Sequence, residues 1–108
     1  MELDNKAVNV LRFEILKCAC EDFVYCKQAL YQIELGVYRG NSLRYYRPGA
    51  LSKGRIQWDL DEVIDFFYSD WFTYLYSPID PQKIIDYMDY KVDKWKREFY
   101  TLLYEEIV

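Results

Sequence analysis

Apolar residues recur at three- and four-residue steps from about Asp4 to Leu35, a spacing that stacks them on one side of a helix. The stripe reads Val8, Leu11, Ile15, Ala19, Phe23, Cys26, Leu30 and Ile33, flanked by Phe13, Leu16, Cys20, Val24, Tyr31 and Leu35. Glu14, Lys17, Glu21, Gln28 and Gln32 fall opposite. The pattern predicts a helix over 5–34, closed by Gly36, which adopts a left-handed helix end without a side-chain clash. Such a helix spans about 45 Å, more than a compact domain of this size encloses. It either breaks near Glu21-Asp22 or lends an end to a partner.

Two further periodic segments follow a longer gap. Asp59 caps the second in this reading, with Glu62 three residues on and Trp58 placed to staple onto Val63. Leu60, Ile64, Phe67, Trp71 and Leu75 form its buried stripe, and Pro78 ends it, giving a helix over 60–76. The third begins with Asp80 as cap, Pro81 in the first turn and Ile79 against Ile84. Its face is Ile85, Met88, Val92, Trp95, Phe99, Leu102 or Leu103, and Ile107, giving a helix over 81–106. The short link from Ser77 to Ile79 predicts that these two form an antiparallel hairpin with the first helix packed across both. The expected fold is all-α, a single three-helix domain over 1–108. Its core comprises Ile15, Leu30, Phe67, Trp71, Met88, Val92, Trp95 and Phe99.

Residues 36–57 carry no long apolar period and all four glycines, Gly36, Gly40, Gly49 and Gly54. A structureless connection of this length is uncommon in a compact domain, so a short hairpin or a helical turn over 41–46 is the expectation.

Composition adds one unusual feature, an aromatic share of 19% that includes 12 tyrosines. Tyrosine joins an apolar ring to a polar tip, which suits either a protein interface or a core built from large rings. No run approaches the ~20 apolar residues of a membrane span, and Met1-Glu2-Leu3-Asp4 lacks a signal-peptide layout. A soluble cytoplasmic protein with no membrane association is therefore expected. Cys18, Cys20 and Cys26 agree with that setting. Helix geometry sets Cys18 about 200° from Cys20 and about 12 Å from Cys26, so reduced thiols rather than a disulfide are expected. With no histidine in the chain, a zinc site is not expected either.

Charge is segregated along the chain. Residues 1–35 carry −2, residues 36–57 carry +5 with no acid, and residues 58–89 carry −7, within a total of −4. A basic loop thus adjoins an acidic helical pair.

The block Phe66-Phe67-Tyr68-Ser69-Asp70-Trp71-Phe72-Thr73-Tyr74-Leu75, followed by Asp80 and Ile84-Ile85, matches the pattern F-F-x-S-x-W-F-x-x-L with a capping Asp. In this the chain resembles a group of small helical proteins encoded in prophages and integrative elements of Gram-positive bacteria. The resemblance covers about twenty residues and implies a mobile-element setting, not a mechanism. The chain departs from the pattern upstream, where its loop is richer in glycine and tyrosine. Read physically, the same block places Phe67 and Trp71 in the core with Phe66 and Phe72 beside them, and lets Ser69 bend the helix by bonding backward.

Catalytic chemistry is sparse. Without histidine there is no histidine-dependent triad or dyad, and no glycine is followed by the Gly-Lys-Ser/Thr of a phosphate loop. The remaining enzymatic reading pairs Glu62 and Asp65 with Asp86 and Asp89, as all-α magnesium-dependent nucleotide pyrophosphohydrolases pair acids on facing helices. At ~100° per residue these acids point away from Phe67, Ile64 and Met88, toward solvent rather than toward each other. No enzyme activity, metal or cofactor is expected.

Two binding surfaces remain. The outward acids Asp61, Glu62, Asp65, Asp86, Asp89 and Asp93 can occupy a basic channel on a host protein that handles nucleic acid, such as a nuclease. A phage or mobile-element inhibitor or regulator, anti-CRISPR-like, works in that way. Alternatively Tyr38, Arg39, Arg44, Tyr45, Tyr46, Arg47, Lys53 and Arg55 mix rings and cations as single-strand nucleic-acid binders do. Those cations can equally pair with the chain's own Asp59, Asp61 or Asp65, which their nearness in sequence favours. The expectation is a non-enzymatic protein-binding module. Nucleic acid through the basic loop is the alternative, and a second copy of the chain is a further candidate partner.

Overall fold

A computed structural model describes residues 5–38 and 52–107. Among these the chain forms α1 (Asn5–Glu34), α2 (Lys53–Phe67), α3 (Asp70–Tyr76) and α4 (Pro81–Ile107), with no strand. The all-α class read from periodicity is what the chain adopts, but its second and third segments are arranged differently from the expectation.

The first helix follows its apolar stripe without a break at Glu21-Asp22. Gly36 has φ 75°. The Val37 N–H donates to the Gln32 carbonyl at 2.9 Å and the Gly36 N–H to that of Ile33 at 3.0 Å. This left-handed closure satisfies carbonyls that the helix end would otherwise orphan.

The second helix starts at Lys53, not near Leu60. Ser52 caps it, its hydroxyl accepting the Arg55 N–H at 3.2 Å. Asp59 therefore sits inside the helix and pairs with Arg55 at 3.4 Å instead of capping. Trp58, expected as a staple, is exposed and lies under the Arg55 guanidinium at 4.7 Å. The basic loop is correspondingly shorter. The hairpin or turn expected over 41–46 lies outside the described residues.

The expected helix over 60–76 is two helices. The Ser69 hydroxyl donates to the Phe66 carbonyl at 2.6 Å and accepts the Phe72 N–H at 3.2 Å. It thus ends α2 and caps α3. The backward bond expected of Ser69 is present, and its consequence is a break rather than a bend. The break resets the helical phase. Trp71, placed in the core by its spacing from Phe67, is 66% exposed, while Phe72 is 1% exposed.

The fourth helix opens as its sequence predicts, with Asp80 Oδ1 accepting the Gln82 N–H at 3.0 Å. It does not lie back along α2 and α3 as the arm of a hairpin. It packs along α1, where Lys27 meets Asp89 at 3.7 Å and Tyr31 meets Trp95 and Phe99 edge-on at 5.9 and 6.4 Å. Residue numbers rise together across these contacts, so α1 and α4 run parallel. On its other side α1 packs antiparallel to α2, Ile15 lying near Phe66 and Asp22 near Asp59. The Tyr68 hydroxyl donates to Gln82 at the corner where α2 ends and α4 begins.

The core sits at this crossing. Phe23 and Cys26 of α1, Ile56, Leu60 and Phe67 of α2, Phe72 and Tyr76 of α3, and Ile85 and Met88 of α4 form one buried cluster. Rings carry its centre, with Phe67–Phe72 and Phe72–Tyr76 centroids 5.5 and 4.9 Å apart. Such pairs add about 0.5–1.5 kcal/mol each beyond area burial. Met88 and Val92 are buried as expected, whereas Ile15, Leu30, Trp95 and Phe99 are half-buried. The molecule is elongated, 60 × 29 × 23 Å, with the first turns of α1 and the last of α4 at opposite ends. No helix among the described residues is long and apolar enough to cross a membrane.

Candidate protein-docking groove

The Ser69 break turns Trp71 and Tyr74 of the 66–75 block to the surface while Phe67 and Phe72 stay in the core. Leu11 and Ile15 lie one turn apart on α1 and form one wall of an open groove. Phe66 and Ser69 from the α2 end, and Trp71 and Leu75 from α3, form the floor and opposite wall. The groove has a volume of about 790 Å³. Its lining is chiefly apolar because the α1 and α3 stripes continue past the point where the core stops. Leu11 is 58% exposed and Tyr74, whose ring stands edge-on to Trp71 at 6.0 Å, is 76% exposed.

Carboxylates edge this surface. Glu62 and Asp65, one turn apart on α2, line the groove itself. Asp70 adjoins Trp71 and Tyr74 in a neighbouring depression, and a smaller cleft of about 280 Å³ continues along the α1–α2 seam past Asp22 and Asp59. Among the residues lining these three depressions there is no lysine or arginine.

Of the six acids proposed from sequence, Glu62 and Asp65 line the groove and the other four do not. Glu62 and Asp65 edge the groove, while Asp61 accepts a hydrogen bond from Gln57 Nε2 at 3.0 Å. Asp86 accepts from Gln82 Nε2 at 2.8 Å, and Asp89 faces α1 through Lys27. Asp93 is exposed on α4. Lys27 stands about 18 Å along the α1 axis from Ile15, so Asp89 is well apart from the groove acids Glu62 and Asp65. Among the described residues, no three His, Cys, Asp or Glu side chains are gathered where they could hold a metal.

The basic candidates are divided as well. Tyr38 packs against the core cluster. Lys53 is exposed in the first turn of α2, and Arg55 is engaged by Asp59 and Trp58. Arg39, Arg44, Tyr45, Tyr46 and Arg47 lie outside the described residues. The pairing of Arg55 with Asp59 is one of the internal neutralisations that the charge pattern suggested.

Cys18, Cys20 and Cys26 form no disulfide with one another. Burial, reinforced by Glu21, raises the pKa of Cys20. Burial, then Asp59 and Asp22, pushes Cys26 up to about 11. Such thiols are poor nucleophiles near neutrality.

Sequence reasoning missed the groove because it kept Trp71 in the core. The signal that could have found it is Ser69-Asp70 before Trp71, a capping serine followed by a first-turn acid. No protein-family model, curated protein or solved structure matches this chain.

Proposed function

We propose that the protein is a non-enzymatic binding module that presents an acid-edged surface to a basic protein. Its setting would be a mobile element and its role that of an inhibitor or regulator, anti-CRISPR-like, of a host protein that handles nucleic acid. One observation carries this reading: Glu62 and Asp65 flank an exposed apolar groove whose lining holds no cation. Carboxylates in that position attract and orient a basic partner, and apolar area beside them supplies affinity once contact is made.

Capture on immobilised protein tests it. Basic nucleic-acid-binding proteins identified by mass spectrometry should be retained by wild type, less so at high salt, and more weakly by Glu62→Gln/Asp65→Asn. Equal retention by that variant would overturn the reading. Submicromolar binding of single-stranded RNA or DNA that depends on Arg44 and Arg47 would replace it with the nucleic-acid alternative.

A further inference from the structure

Trp71 is the least expected residue on this surface. A helix continuing through Ser69 would have kept it in phase with Phe67, yet the chain caps a new helix there and turns the indole outward. The groove beside it is bounded by helices, and an extended peptide would find no open strand edge there among the described residues. An arriving helix satisfies its own backbone and needs only side-chain anchors, which an apolar groove provides. Glu62 and Asp65 edge this groove, with Asp70 beside Trp71, so phosphate-rich ligands are repelled and cations are favoured.

We infer that the groove binds one amphipathic helix of another protein. Its apolar anchors at i, i+3 or i+4, and i+7 lie over Leu11, Ile15, Phe66 and Leu75 against the Trp71 ring. Its lysines or arginines, along one flank, face Glu62 and Asp65. This rests on the acid-edged binding reading and adds to it the place and the shape of the ligand.

The test uses a random 16-residue peptide library displayed on phage, selected on the full chain and counter-selected on Trp71→Ser. Enriched peptides should show apolar residues at helical period with flanking Lys or Arg, and should become helical on binding by circular dichroism. Trp71→Ser and Leu11→Ser both replace exposed side chains, so the fold should be retained. Each should weaken a selected peptide about tenfold or more, as loss of an interface anchor does. Glu62→Gln/Asp65→Asn should weaken it less and flatten its salt dependence. Basic peptides without an apolar period that bind Trp71→Ser equally would overturn the groove while leaving the acidic-surface reading standing. Selected peptides without cations would overturn both. A concentration-dependent dimer abolished by Trp71→Ser would assign the groove to a second copy and overturn the proposal.

Discussion

Tyr76 donates its phenolic hydrogen to the backbone carbonyl of Arg12 at 2.7 Å, joining positions 64 residues apart. The bond fastens the short α3 to the α1 end that carries Leu11 and Ile15, so it fixes the width of the groove. Tyr76 is buried and its ring packs on Phe72. Tyr76→Phe keeps the ring and removes the bond, and should lower stability by about 0.5–1.5 kcal/mol. Chemical denaturation should show a lower midpoint at unchanged slope. A midpoint equal to wild type would show that ring packing alone anchors α3.

Trp71 and Phe72 should respond in opposite ways. Phe72→Ala empties a site at the centre of the ring cluster and should cost about 3–5 kcal/mol. Trp71→Ala, on the exposed side, should change stability by no more than about 0.5 kcal/mol. Ser69→Ala removes the α3 cap and should cost about 1 kcal/mol. Denaturation curves for the three variants check this, and a large loss at Trp71 would return the indole to the core.

The contrast shows where the sequence was legible. The limits of α1 and the start of α4 were readable because each has a strong local signal, Gly36 at one and Asp80-Pro81 at the other. The start of α2 was hidden because Gly54 is a weak helix former in a basic, glycine-bearing stretch. Asp59 and Glu62 also offered a more familiar capping pattern, although Ile56 stands one turn before Leu60. The packing of α4 on α1 was not readable from periodicity, which says which face is apolar but not what covers it. Of the candidate site, the acids of α2 were identified. The groove they border was not, because a single serine reset the helical phase of the α3 residues that follow it.

Stability should fall at high pH through Cys26. Its thiol is pushed from 9.0 up to about 11 by burial, then by the carboxylates of Asp59 and Asp22. Between those values the unfolded thiol ionises while the folded one keeps its proton, so stability declines as pH rises. Below the lower value the contribution is fully present. Tyr76, also raised by burial, adds a slope of the same sign above 10. Cys26→Ala should show a shallower fall in denaturation midpoint from pH 9 to 11, from a lower start. Parallel slopes in the two proteins would remove Cys26 as the cause.

Magnesium should find no stoichiometric site among the paired acids. Glu62 and Asp65 face the groove beside Ile15, whereas Asp89 faces Lys27 about 18 Å further along α1. An octahedral ion needs its oxygens at about 2.0–2.1 Å and cannot bridge such a gap. Titration calorimetry with magnesium or manganese should give only dilution heats. Tight uptake lost in Asp65→Asn or Asp86→Asn would revive the nucleotide hydrolase.

Replacing Arg44, Arg47 and Arg55 with Gln separates the protein-binding reading from the nucleic-acid one. Arg55 already lies between Asp59 and Trp58, so its charge is partly neutralised within the chain. If the cations serve their own fold, this variant should retain basic proteins as wild type does, with a stability change of about 0–1 kcal/mol for the exposed pair. Glu62→Gln/Asp65→Asn should weaken that retention with its fold intact, because neither carboxylate packs in the core. The outcomes reverse if the loop reads nucleic acid. The arginine variant then loses single-stranded RNA and DNA in gel shifts, and the acid variant gains them as repulsion of phosphates falls. Tyr45→Ala or Tyr46→Ala then costs about 1–3 kcal/mol of stacking. Titrations of both variants at two salt concentrations decide between them: the nucleic-acid reading requires salt-sensitive binding that depends on the arginines, and the protein-binding reading requires salt-sensitive retention that depends on Glu62 and Asp65.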